Sequence, residues 1–131
     1  MNILKYVFDA KYRFFARKVK AVTKQIWDYE FKVEKTMQIR EGIRRDRDSL
    51  IDAQHKLEAA FKAAPNDKKV EADYLAVNDN IKRFEAQMKM LDDQINGVPA
   101  NGDNPGENGV NDTIASLAEL RQMYKQYLTK I

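Results

Sequence analysis

The chain has no cysteine, one histidine, one tryptophan, three prolines and five glycines in 131 residues. Without thiols there are no disulfides and no thiolate metal sites, which fits a reducing compartment. One histidine, His55, is too few for the paired Glu-x-x-His motifs of a carboxylate-bridged metal bundle. Asp52 and Glu58, three residues to either side, make it a surface ion-pair neighbour instead. The two serines, Ser49 and Ser116, lack a nucleophile-elbow context, and no glycine-rich loop leads into Lys-Ser or Lys-Thr. Neither an enzyme, a cofactor nor a small-molecule substrate is expected. Long apolar runs are missing as well: nothing approaches the ~20 residues that span a bilayer. MNILKYVF meets charges too soon to read as a signal peptide. The start is basic and acid-poor like an organelle transit sequence, but Lys outnumbers Arg there and Ser is absent. The expected location is the cytoplasm or the body of a large assembly.

What the chain does have is charge and helical period. A third of its residues are charged, for a net +3. Residues 1–34 carry eight bases against four acids, whereas 65–95 carry five against seven. Attraction to an anionic surface therefore belongs to the N-terminal part. The chain breaks in two places. At AAPNDKK, residues 63–69, Pro65 stops one helix and Asn66 or Asp67 caps the next. Residues 96–112 hold four glycines, two prolines and three Asn-Gly pairs, which predicts a flexible surface loop. Asp103 and Glu107 in that loop do not match the alternating ligands of a calcium-binding EF-hand.

Between the breaks, apolar residues recur in alternating steps of three and four. Val70, Tyr74, Val77, Ile81, Phe84, Met88, Leu91 and Ile95 form one heptad seam. A first helix from near residue 3 to residue 64 continues the pattern through Ile43, Leu50, Leu57 and Phe61. Folding at Pro65 pairs Phe61 with Val70, Leu57 with Tyr74, Leu50 with Ile81 and Ile43 with Met88. The prediction is an all-α fold: a long N-terminal helix forms an antiparallel coiled-coil hairpin with a second helix, and a short C-terminal helix follows the loop. Its parts are a basic amphipathic arm (1–35), the hairpin (36–95), the linker (96–112) and an amphipathic helix (113–131) capped by Asp112 or Thr113.

The fold-back also sets Arg40 opposite Leu91 and Arg47 opposite Phe84, where a plain coiled coil wants aliphatics. In IREGIRRDRDSL the bases alternate with Glu41, Asp46 and Asp48, which speaks for register control rather than phosphate binding. Arg40 and Arg47 are thus register-setting residues whose heads reach Asp92 or Glu85, and Arg44 approaches Glu85 across the hairpin.

The second helix is too short to cover the arm. Phe8, Tyr12, Phe15, Val19, Val22, Ile26 and Tyr29 line its seam, and Leu4 and Val7 widen the apolar face. These seam residues, with Trp27, are the candidate partner-binding surface. Arg13, Arg17, Lys20 and Lys24, at i, i+4, i+7 and i+11, form a basic stripe on the other side. The C-terminal helix either packs on the hairpin or lies along the arm, and in neither arrangement is it expected to hide the whole face. Helix–helix assembly is favoured, because the arm keeps the hairpin's register. That reading makes the chain a non-catalytic structural protein docked with other subunits, self or heterologous, in an oligomeric body such as a virion or secretion-type assembly. A peripheral membrane module is the alternative. Nucleic acid comes last, since the bases show no exposed aromatics at a stacking site. Trp27, Tyr29 and Phe31 fit either junction packing or a hot-spot patch.

Overall fold

A computed structural model of the chain describes residues 9–103 and 105–130. These residues include the helices α1 (Ala10–Ala63), α2 (Lys68–Asn96) and α3 (Val110–Lys130). Among the described residues there is no strand, and Val98 and Glu107 form an isolated antiparallel bridge. The all-α fold with a long first helix packed on the second is as expected.

Local chemistry sets the ends. Asp9 caps α1: the Lys11 and Tyr12 amides donate to its Oδ1 at 2.9 and 3.1 Å. The predicted start near residue 3 lies outside the described residues. Pro65 follows the last turn, and Asp67 caps α2 by accepting from the Lys69 and Val70 amides. The third cap differs from expectation. The helix begins at Val110, Gly109 is its cap residue, and Asp112 reaches back to accept from the Gly109 amide at 3.1 Å. Asp112 sits inside the first turn, where a carboxylate also meets the positive end of the helix dipole.

The described chain divides into two units. Lys35–Asp93 is one of them, the helical hairpin. Ile81 and Met88 are buried there, and the Phe61 and Tyr74 rings stack 6.0 Å apart, one turn from the expected Leu57–Tyr74 layer. Polar pairs mark its register. Gln54 donates to Asn78 at 2.7 Å, and the Arg40 guanidinium forks onto the Asp92 carboxylate at 2.6 and 3.1 Å. Both agree with the predicted alignment to within one residue.

The other unit joins the arm, up to Glu34, to the segment from Gln94 onward. Here α3 lies along the arm. Phe15 meets Tyr127 and Tyr124 at ring separations of 5.0 and 6.1 Å, while Arg121 lies 3.5 Å from the Thr23 hydroxyl. Residue number rises along one helix as it falls along the other, so the two are antiparallel. Val22 and Ile26 are buried at 5% and 3% exposure, and Ile95 joins them in the core.

The segment predicted as a linker is closed at its base. Val98 and Glu107 exchange two backbone hydrogen bonds of 2.7 and 2.8 Å. Gly97 ends α2 with φ +80°, a conformation open to glycine at no steric cost. Gly109 is buried, and a Cβ there meets the Ile95 carbonyl oxygen at 2.5 Å. Gly109→Ala is therefore expected to lower stability by about 1–3 kcal/mol through a forced backbone shift. Gly42 faces open space in mid-helix, so Gly42→Ala is expected to add roughly 0.5–1 kcal/mol. Thermal unfolding of the two variants checks both signs, and a stabilised Gly109→Ala protein contradicts the close approach.

Candidate functional site

Among the described residues, the expected partner-binding seam is covered in part by the chain itself. Val22 and Ile26 are buried, and Tyr12, Phe15, Val19 and Tyr29 are half-buried along the side that meets α3. Phe8 lies outside the described residues, as do Leu4 and Val7. Of the two packings considered for the C-terminal helix, the one along the arm is found, and the described seam is buried at Val22 and Ile26 and half-buried elsewhere. Only one side of a helix needs covering, and α3, with 21 residues, runs for about 31 Å. That is as much as the stretch from Tyr12 to Val33 requires.

Trp27 belongs to a different surface. It is 65% exposed and Phe31, one turn on, is 59% exposed, which removes junction packing as their explanation. Phe14, about 100° around the helix from its seam neighbour Phe15, is 53% exposed. Its ring carries the Lys18 ammonium 5.3 Å from the centroid, a cation–π contact.

The basic stripe runs through the middle of this outer face. Arg17, Lys20 and Lys24 are exposed and Arg13 is half-buried. Steps of four, three and four residues separate them by about 6, 4.5 and 6 Å along the axis. Phe14 and Trp27 fall at opposite edges of the stripe, and Phe31 lies on its continuation. Ala21 provides a low floor. A shallow hollow of about 590 Å³ is lined by Ala10, Arg13, Phe14, Arg17, Lys18 and Ala21. A second, of about 550 Å³, is lined by Arg17, Lys20, Ala21, Thr23, Lys24 and Trp27. They share Arg17 and Ala21, so the outer face holds one continuous track from Phe14 to Trp27. No acid occurs from Ala10 to Trp27.

Several cations of the hairpin are already matched. In the hairpin Arg40 pairs with Asp92 as expected, whereas Arg47 turns to its neighbour Asp48 at 3.1 Å. Arg44 bonds to Glu41 and Asp48 on its own helix instead of reaching Glu85, because both carboxylates lie within one turn. Arg45 also approaches Glu41, at 3.6 Å. Among the described residues, by contrast, none of Arg13, Arg17, Lys20 and Lys24 belongs to an ion pair. No group of three or more His, Asp or Glu among them is placed to hold a metal ion, and no described helix is long and apolar enough to cross a membrane.

Reading the sequence alone missed Phe14 as a member of this face, and took Lys18, whose ammonium reaches the Phe14 ring, as an intrusion on the apolar side. The signal was available: Phe14 and Phe15 are adjacent, so they point about 100° apart, and only one can join the seam. Comparison with protein-family models, curated proteins and solved structures gives no match to this chain.

The hydrogen bond from Arg44 holds the Glu41 carboxyl below its ordinary 4.5, and the guanidinium in turn is pushed upward by Glu41. A lowered carboxylate pKa favours the folded state above the ordinary carboxylate range, and that contribution fades as pH falls through the lowered value. An NMR titration should therefore place the Glu41 midpoint below 4.5, returning toward it in Arg44→Gln. An unchanged midpoint in that variant removes the assigned cause.

Proposed function

We propose that this chain is a non-catalytic structural protein that docks onto an anionic partner within a larger assembly, using the outer face of its arm. One observation carries the reading: Arg13, Arg17, Lys20 and Lys24 run down the middle of an exposed face with no acid from Ala10 to Trp27. Charges held in internal pairs are spent, and these four are not.

The order of residues across the face discriminates among partners. A partner helix in a coiled coil wants an apolar centre with charges at its edges, and lysine is depleted in protein interface cores. An interfacial membrane helix wants a broad apolar face with cations beside it. Within the described residues the arm's apolar face is the side toward α3, which leaves less of it for docking by helix or by lipid. The outer face has the reverse order, cations in the centre and aromatics at the margins. That order suits a line of negative charge. In the hairpin, by contrast, Arg40, Arg44, Arg45 and Arg47 face carboxylates of their own unit.

Retention on a heparin column tests the face against mere net charge. Arg17→Glu with Lys24→Glu should elute at much lower salt than the parent chain. Lys56→Glu with Lys69→Glu changes the net charge equally at exposed sites off the arm, and should elute near the parent. Equal losses from both pairs, with helix content unchanged by circular dichroism, would leave only the overall charge and end the proposal.

A further inference from the structure

We infer that the anionic partner of the arm is a single-stranded nucleic acid, whose phosphates follow the basic stripe while unpaired bases stack on Trp27 and Phe14. The inference rests on the docking face proposed above and narrows its ligand. Bare cations attract any polyanion, so the aromatics make the distinction. Phe14 and Trp27 are more than half exposed and flank the stripe on opposite sides, at the two ends of one track. Exposed rings of this size are a liability on a free surface and are useful where a flat apolar ligand arrives. Duplex hides its base faces, a carboxylate-rich peptide offers no flat rings by virtue of its charge, and single strands present both rings and phosphates. Each ring has cations close by: Lys18 over Phe14, and Lys20 and Lys24 lining the hollow beside Trp27. A base stacked there leaves its phosphate within reach of a positive head group.

Trp27 is the chain's only tryptophan, so its emission reports on this position alone. The full chain should bind a dye-labelled oligodeoxythymidylate of about a dozen nucleotides, with quenched Trp27 emission and raised dye anisotropy. With about 4 phosphates neutralised, log Kobs should fall with log salt at a slope of about −3. Trp27→Ala, followed by dye anisotropy, should weaken binding about tenfold and leave that slope unchanged. Arg17→Gln with Lys24→Gln should flatten the slope by about 1.4. A duplex of equal length should bind at least tenfold more weakly.

Duplex binding equal to or tighter than the single strand overturns the inference, as does an oligonucleotide that leaves Trp27 emission unchanged. Phosphatidylserine vesicles that shift the emission to the blue, with no response to the oligonucleotide, assign the face to a lipid surface instead. Polyglutamate competing as well as the oligonucleotide reduces the site to charge alone; the docking face then stands and its nucleic-acid assignment falls. If nothing anionic binds, both fall.

Discussion

An apolar helix face can be buried only once, and the rest of this molecule's surface chemistry follows from where that happens. In the arm, Val22 and Ile26 are sealed, and the Phe15 ring rests against Tyr124 and Tyr127 of α3. Burying a side chain of this kind contributes roughly 1.5–3 kcal/mol, far more than an exposed ion pair. The seam therefore decides the rotation of the arm, and rotation decides what faces outward. Had α3 packed elsewhere, the same residues would present grease to solvent and the cations would be incidental. With the seam closed, the outward side is defined by Arg13, Arg17, Lys20, Lys24 and the aromatics around them.

The hairpin solves a different problem with similar materials. Ile81 and Met88 supply its buried apolar layers, and polar contacts at Gln54–Asn78 and Arg40–Asp92 mark where the helices meet. A seam of leucines alone tolerates a slip of one heptad; a forked arginine–carboxylate pair does not, because a slip leaves both charges without partners. Arg44 and Arg47 are tied to carboxylates along their own helix, which limits their reach toward anything outside. Two arginine-containing stretches of one helix thus differ in how their charges are matched because of neighbouring acids, not because of arginine content.

Much of the hairpin could be read from the sequence because two independent seams share one period and a short turn fixes their direction. The arginine-to-Asp92 reach follows from the same alignment, while the break at Pro65 offered Asn66 or Asp67 as the next cap and the structure uses Asp67. What covers the arm could not be read in the same way. Periodicity says that a face must be buried, never against what, and seventeen residues of glycine-rich chain from Asn96 to Asp112 left α3 free to go anywhere. The closure at Val98 and Glu107 comes from backbone hydrogen bonds and positive-φ glycines, which leave no trace in hydrophobic pattern. Phe14 was overlooked because attention to a seam treats the flanks of a helix as solvent. Its place beside the basic stripe becomes visible only once the covered side is known.

Cinching the loop also separates its mouth from its tip. Gly97 and Gly109 hold the two ends together by close backbone approach, while Asn101, Gly102 and Asp103 stand exposed beyond the bridge. Extra residues spliced in at that tip lengthen a strand of chain whose ends are already fixed, at a cost that grows only logarithmically. The position is a ready graft point for a reporter or affinity epitope, remote in sequence from the arm's cationic side.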